Sequence, residues 1–248
     1  LAVYERSLWS WFDRTVVSAL RFPLSAFDLV CLTPSPELAP NSSLVHMFET
    51  VRKRMDGAGR DRFFGILASD SSWTLNFEAV IASLATRRPS LLLGTAFSFV
   101  HLLDFMEEKN LRLQLPPGSR IMETGGYKNR SRSMPKAELH TLMAEYLGVP
   151  SDGIICEYGM SELSSQAYGA GSGLFHFPPW ARVQIISPET GRAASDGETG
   201  IIRILDLANV FSVAAVQTED LGVRRGDGFE LIGRTPLSEP RGCSLMTA

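Results

Sequence analysis

Between residues 27 and 158, short apolar runs alternate with longer stretches of helical spacing, and this alternation restricts the fold more than any other feature of the chain. Phe27 to Leu32 reads as a buried strand. It ends at Thr33-Pro34-Ser35-Pro36, where each proline biases its predecessor towards extended backbone. Ser42 or Ser43 can cap a helix running towards Met55, and Asp56-Gly57-Ala58-Gly59-Arg60-Asp61 marks a turn. Phe63 to Ala68, Ser90 to Thr95, Arg120 to Glu123 and Ile154 to Tyr158 read as further strands. Asn76 to Thr86, Phe97 to Lys109 and Pro135 to Leu147 read as helices, the last closed by Gly148. Strands separated by helices of this length form βαβ units, so the expectation is an α/β fold with a mainly parallel sheet flanked by helices. An amphipathic helix at about residues 3 to 22 precedes them, with Leu8, Trp11, Phe12, Val16, Ala19 and Leu20 on one face.

The pattern changes after Gly169-Ala170-Gly171-Ser172-Gly173. That run has no lysine and reads as a flexible linker rather than a phosphate loop. Ala181 to Ile186, Gly200 to Leu205, Val213 to Gln217 and Phe229 to Ile232 are short strands. Turn clusters such as Pro188-Glu189-Thr190-Gly191 and Gly226-Asp227-Gly228 divide them, with no room for a long helix. A small antiparallel sheet or barrel subdomain is expected here. The boundary falls near residues 169–178, giving an α/β part over 1–172 and a β part over 173–248.

Composition narrows the function by exclusion. The 248 residues carry a formal net charge of -3, which disfavours a nucleic-acid partner, since that needs a basic face. No run of about 18 apolar residues offers a membrane span. Cys31, Cys156 and Cys243 are odd in number and form no C-x-x-C pair, so a disulfide framework or zinc site is not expected. The thiols read as reduced and the chain as cytoplasmic. His46, His101, His140 and His176 show no H-x-x-x-H spacing for a metal. Leu1 follows no methionine and no signal-like segment, so the chain is expected to be an N-terminally truncated fragment.

Several loops have residue types suited to a nucleotide. Glu157-Tyr158-Gly159-Met160-Ser161-Glu162 follows an apolar strand, at the kind of strand end where open α/β sheets bind ligands. Gly159 permits close backbone approach, while Ser161 and Glu162 offer the oxygens that hold Mg²⁺ against a phosphate. As structure alone, the run is the start of a helix capped by Ser161. Glu123-Thr124-Gly125-Gly126-Tyr127-Lys128 follows another strand. Its paired glycines can expose backbone N–H groups to an anion, Tyr127 has a face for a base, and Lys128 with Arg130 adds positive charge. A plain β-to-α turn would look similar. Asp220 in Thr218-Glu219-Asp220-Leu221-Gly222 can accept from ribose hydroxyls, and Arg234 after Gly233 can pair with phosphate. Arg241 beside Cys243 would raise the thiolate fraction and make the sulfur an acyl acceptor. Phe97-Ser98-Phe99-Val100-His101-Leu102 either lines an acyl pocket or packs as a core helix.

Together and in this order, these runs resemble the motifs of the adenylate-forming superfamily. More narrowly, the chain resembles the acyl-protein synthetase (LuxE-type) family of the bacterial luciferase operon. Ser42-Ser43-Leu44-Val45-His46-Met47, Gly94-Thr95-Ala96-Phe97, Pro178-Pro179-Trp180 and Arg241-Gly242-Cys243-Ser244-Leu245 add to the likeness, which covers nearly the whole chain. The resemblance implies a ligase that joins a carboxylic acid, fatty or aromatic, to AMP from ATP. It then passes the acyl group to an enzyme cysteine and on to an acyl reductase. By the resemblance, Tyr158, Gly159, Ser161 and Glu162 line the adenylate and metal, with Glu162 as the Mg²⁺ ligand. Asp220 binds ribose and Arg234 accompanies it. Gly125, Gly126 and Tyr127 form the adenine-side turn, and Cys243, Glu162 and Lys128 are the catalytic candidates. The family's Ser/Thr/Gly-rich phosphate loop has no counterpart between Leu1 and Ala248, so the fragment is expected to be inactive alone. In a chain of 248, 14 residues follow Arg234, too few for the lid domain of standard CoA ligases. Alternatives are an aryl- or acyl-CoA ligase similar to phenylacetate–CoA ligase, and a non-catalytic nucleotide-binding remnant.

Overall fold

The computed structural model describes residues 1–18, 24–56, 62–67, 72–125, 134–170 and 173–235. In chain order the elements are α1 (Ala2–Phe12), β1 (Asp28–Cys31), α2 (Ser43–Asp56), β2 (Gly65–Leu67), β3 (Trp73–Leu75), α3 (Phe77–Leu84), β4 (Ser90–Thr95), α4 (Ala96–Glu108), β5 (Arg120–Thr124), α5 (Lys136–Leu147), β6 (Ile154–Tyr158), β7 (Ala167–Ala170), β8 (Leu174–Phe175), β9 (Ala181–Ile186), β10 (Thr199–Asp206), β11 (Ala215–Arg225) and β12 (Gly228–Arg234). The described residues divide into two compact units. One holds Val16–Ile155; the other joins Leu1–Thr15 to the chain from Cys156 onward, and β6 runs from the first into the second.

The unit of Val16–Ile155 is built on a parallel sheet. β4 lies between β1 and β5, with Asp28 opposite Ser90 and Leu91 opposite Arg120. Every residue of β4 is buried, which explains its unbroken apolar run: a strand covered on both faces shows no alternation. α4 begins where β4 stops because Thr95 caps it. The Ser98 N–H donates to Thr95 Oγ1 at 3.0 Å, and the Thr95 N–H donates to Ser98 Oγ at 2.8 Å. Phe99, Val100, Leu103 and Met106 of α4 pack with Leu139, Met143 and Leu147 of α5 into one core. Gly148 ends α5 in the left-handed conformation, φ 69°.

The other unit contains an antiparallel sheet in the order β8-β12-β11-β10-β9. Alternate residues of β10 point inward, Ile202 and Ile204 among them, and Phe229 of β12 is fully buried beside them. This parallel α/β part followed by antiparallel strands is the expected fold class.

Three local expectations change. The N-terminal helix is α-helical only to Phe12 and continues as a π-helical turn over Asp13–Val17; residues 19–23 lie outside the described part. Of the run expected at Phe63 to Ala68, Gly65–Leu67 pairs antiparallel with β3, a strand of three residues and too short to show alternation, and Ala68 lies outside the described residues. β11 is much longer than Val213 to Gln217, so Glu219 and Asp220 lie inside a strand and not at its end. Gly222 marks a bulge there, with the register shifting between Leu221 and Gly222. A side chain at Gly222 would come within 2.9 Å of Ile202 Cγ1. A strand-interior glycine can signal close packing rather than termination.

Candidate functional site

Three strands of the second unit converge on one carboxylate. Tyr158 is the last residue of β6, and its Oη donates to Asp220 Oδ2 at 2.8 Å. Arg234 ends β12 and donates through Nε to Asp220 Oδ1 at 3.0 Å. Asp220 and Arg234 are paired across β11 and β12, so the sheet itself fixes this contact. Thr218 Oγ1 accepts from the Asp220 N–H at 3.0 Å and donates to the Ile202 carbonyl at 2.9 Å, where the register of β10 on β11 shifts between Ile201 and Arg203. Asp220 and Tyr158 are buried, whereas the Arg234 side chain keeps 41% of its exposure. The Tyr158 ring is seated edge-on against Phe175, Phe177 and Phe229. Burial first, then the Asp220 carboxylate, pushes the Tyr158 hydroxyl well above its ordinary range, so it stays a proton donor.

Beyond Tyr158 the chain forms neither helix nor strand until β7, contrary to the helix start expected at Ser161. Gly159 is required by its surroundings. A Cβ there would sit 2.2 Å from Glu157 Oε1 and 3.3 Å from Gln166 Cγ. Ser161 and Glu162 follow with exposed side chains. A hydroxyl and a carboxylate beside a glycine cradle are hard oxygen donors of the kind Mg²⁺ prefers, so this segment fits the ion by its chemistry. The segment is held from behind. Asp206, fully buried at the end of β10, accepts from the Ser164 N–H at 2.9 Å and from Ser165 Oγ at 2.8 Å. Asn209 Nδ2 donates to the Glu162 carbonyl at 2.8 Å. Trp180 Nε1 donates to Ser7 Oγ at 2.8 Å and Ser165 Oγ at 3.1 Å, tying α1 to the same segment.

Sequence reasoning missed Asp206, Asn209 and Ser7. The signal was present for the first: Asp206 Oδ1 also accepts from the Ala208 N–H at 2.9 Å, an Asx turn that Asp-x-x-Asn after an apolar strand can announce.

The structure therefore brings Tyr158, Gly159, Ser161, Glu162, Asp220 and Arg234 into one unit. Gly125 belongs to the other unit, just past β5, with φ 72° and, among the described residues, nothing within 4 Å of where a Cβ would stand. Before it, the buried Glu123 carboxylate lies 3.5 Å from both Lys136 Nζ and His140 Nε2. Gly126, Tyr127, Lys128, Arg130 and Cys243 lie outside the described residues. Cys31 and Cys156 are buried. In the Phe97 to Leu102 run, Phe99, Val100 and Leu102 are core residues, while His101 rests against the Phe97 ring, centroids 4.3 Å apart. Among the described residues no helix is long and apolar enough to cross a membrane.

Comparison with known proteins gives a consistent pattern. The model of the family described as acyl-protein synthetase, LuxE, matches residues 18–248. The chain is 25% identical over 190 residues to a long-chain-fatty-acid–luciferin-component ligase of Aliivibrio fischeri, covering 70% of this chain and 50% of that one. It is 23% identical over 184 residues to the Vibrio harveyi protein of the same name, covering 69% and 49%. The chain thus spans about half the length of the curated relatives it matches. ATP-bound MatB from Rhodopseudomonas palustris superposes with a TM-score of 0.62 at 15% identity, over 92% of this chain and 44% of that one, a likeness of fold.

Proposed function

The chain belongs to the LuxE family of acyl-protein synthetases, and we propose that it handles the nucleotide in an ATP-dependent acyl activation. The substrate class is a carboxylic acid of the long-chain fatty type named for its curated relatives. In this reading a carboxylate oxygen attacks the α-phosphorus of ATP, pyrophosphate leaves, and the acyl group is carried as an adenylate.

The observation that carries the proposal is the Tyr158–Asp220–Arg234 cluster. Asp220 is a buried acid whose two oxygens are already oriented by fixed donors. A ribose presenting two hydroxyls would find an acceptor there that needs no reorganisation. Arg234 beside it keeps 41% of its side-chain exposure, so its guanidinium is accessible to ribose or phosphate oxygens. Tyr158 stays protonated and stiffly packed, so it fixes the acid and can bound the nucleoside. Ser161 and Glu162 would hold Mg²⁺. That ion, when bound, offsets phosphate charge and orients the leaving group. On the family resemblance we further propose that Gly125, Gly126 and Tyr127 border the adenine, that Lys128 faces the phosphates, and that the Cys243 thiolate accepts the acyl group as AMP leaves. An acyl reductase would then take the acyl group.

Calorimetric titration of this chain with ATP and with a non-hydrolysable acyl-adenylate mimic tests the reading. Binding of both, weakened at least about tenfold in Asp220→Asn, is the expected result, since a hydrogen bond to a charged group contributes about 1.5–3 kcal/mol. Equal binding by the two proteins would remove Asp220 from the site. For Cys243, labelling the full-length protein with radioactive fatty acid and ATP should leave covalent label that Cys243→Ser abolishes.

A further inference from the structure

Asp206 is a carboxylate with no exposed surface, and such a group is costly to bury unless its lone pairs are filled. They are filled by the segment that carries Ser161 and Glu162. Oδ2 accepts from the Ser164 N–H at 2.9 Å, and Oδ1 accepts from Ser165 Oγ at 2.8 Å and the Ala208 N–H at 2.9 Å. Asn209, also buried, donates through Nδ2 both to the Glu162 carbonyl at 2.8 Å and to the Val213 carbonyl at 3.0 Å. Residues 159–166 have no regular secondary structure. These bonds therefore stand where a helix or ladder would otherwise fix the backbone.

We infer that Asp206 and Asn209 are positioning residues for the metal-side segment, holding the backbone of Glu162 and Ser164 so that the Ser161 hydroxyl and Glu162 carboxylate stay presented together. Neither residue is called on to touch nucleotide. Asn209 acts on the main chain of Glu162, and Asp206 on the two residues just after Leu163. The pair belongs to the end of β10 and the loop after it, so the sheet that holds Asp220 also sets the metal-side segment. The inference depends on the proposed role of Ser161 and Glu162 towards Mg²⁺-nucleotide.

The test is calorimetry on the whole chain with AMP, with ATP in chelator, and with ATP plus MgCl₂. Wild type, Glu162→Gln, Asn209→Ala and Asp206→Asn are compared after thermal melts confirm folding. The expected result is a Mg²⁺-dependent gain in ATP affinity that Glu162→Gln abolishes. Asn209→Ala and Asp206→Asn should cut that gain at least about tenfold, the usual effect of losing a group that orients a metal ligand. AMP affinity, set by the Asp220 cluster, should persist in both. If Glu162→Gln abolishes the gain but both positioning variants keep it, the inference falls and the reading of Glu162 stands. A parallel loss of AMP and Mg²⁺-ATP binding would also overturn it, because a merely structural role predicts that. No Mg²⁺-dependent gain in wild type would sink the reading of Glu162 and the inference together. Should Asp206→Asn fail to fold, Asn209→Ala decides, since it removes two donors and leaves the buried acid intact.

Discussion

Asp220 and Arg234 face each other as register partners on β11 and β12, and their side chains repeat the pairing, with Arg234 Nε 3.0 Å from Asp220 Oδ1. The second oxygen of the same acid belongs to Tyr158. The two partners sit in different surroundings: the arginine is 41% exposed, and the tyrosine is buried among three phenylalanines. Solvent screens the first contact and not the second, so similar distances, 3.0 and 2.8 Å, do not mean equal weights.

That difference predicts an order of stability. Arg234→Ala should cost less than about 1 kcal/mol, the range of exposed ion pairs. Tyr158→Phe leaves a buried carboxylate oxygen short of a donor and should cost about 1–3 kcal/mol. Urea unfolding of the two variants checks this, and a larger loss from Arg234→Ala would contradict the argument. Nucleotide affinity should respond in the opposite order, since the half-exposed guanidinium is the group of the two that a ligand can approach.

Tyr158 and Tyr168 are both buried, and burial raises both hydroxyls above their ordinary range. A raised folded-state value favours the neutral phenol. The contribution to stability is full below the unfolded value of about 10 and drains away as pH rises beyond it, because the unfolded chain releases the proton first. Each tyrosine should steepen the loss above about pH 10 by roughly 1.4 kcal/mol per pH unit. Either Phe variant should remove one proton from that slope in urea midpoints measured between pH 9 and 11.5. At pH 7 the two part company. The Tyr168 hydroxyl has no hydrogen-bond partner among the described residues. Tyr168→Phe should therefore be neutral or stabilising where Tyr158→Phe destabilises.

How much of this was legible in the sequence depends on the range of the interactions. α4 and α5 were readable because each is long enough to show its own period, β4 and β5 because they are short apolar runs between them, and signals such as Thr95 and Gly148 mark the boundaries. β3 and β7 were not: at three and four residues they owe their form to neighbouring strands rather than to a local pattern. Tyr158, Asp220 and Arg234 stood out as residue types at turns, but their union arises from the register of β11 on β12, which no window of sequence contains. Asp206 was missed altogether. Its burial under Ser164 and Ser165 comes from contacts more than 40 residues apart in the chain.

Gly125 separates backbone strain from crowding. Its φ is 72°, and among the described residues nothing lies within 4 Å of where a Cβ would stand. Gly125→Ala should therefore cost only the left-handed penalty of about 1–2 kcal/mol, with no steric addition. Gly125→Asn should recover part of that, because asparagine tolerates this conformation. Urea unfolding should rank Gly, Asn and Ala in that order; equal stability of all three would mean the backbone there relaxes out of the left-handed region.

Gly159 presents the reverse case, crowding without strain. Its φ is not among the positive ones, yet a Cβ would lie 2.2 Å from Glu157 Oε1 and 3.3 Å from Gln166 Cγ. Glu157 is only 8% exposed and Gln166 only 4%, so neither side chain can swing into open solvent. The Glu157 carboxylate must shift within a packed setting, or the backbone between Tyr158 and Ser161 must. Gly159→Ala should cost about 1–3 kcal/mol, the usual penalty for overpacking. The expected consequence for binding follows from where the strain is relieved. If Glu157 yields, Gly159→Ala lowers stability and leaves ATP affinity near wild type. If the backbone yields, Ser161 and Glu162 move with it, and the Mg²⁺-dependent part of ATP binding is lost as well. Asp206 and Asn209 hold the backbone just beyond, at the Ser164 N–H and the Glu162 carbonyl, and Asp206 also holds the Ser165 hydroxyl. The carboxylate is the softer of the two, so stability should fall while affinity holds. Measured in a Glu157→Ala background, the cost of Gly159→Ala relative to that background should shrink in urea unfolding, and an unchanged cost would place the strain in the backbone instead.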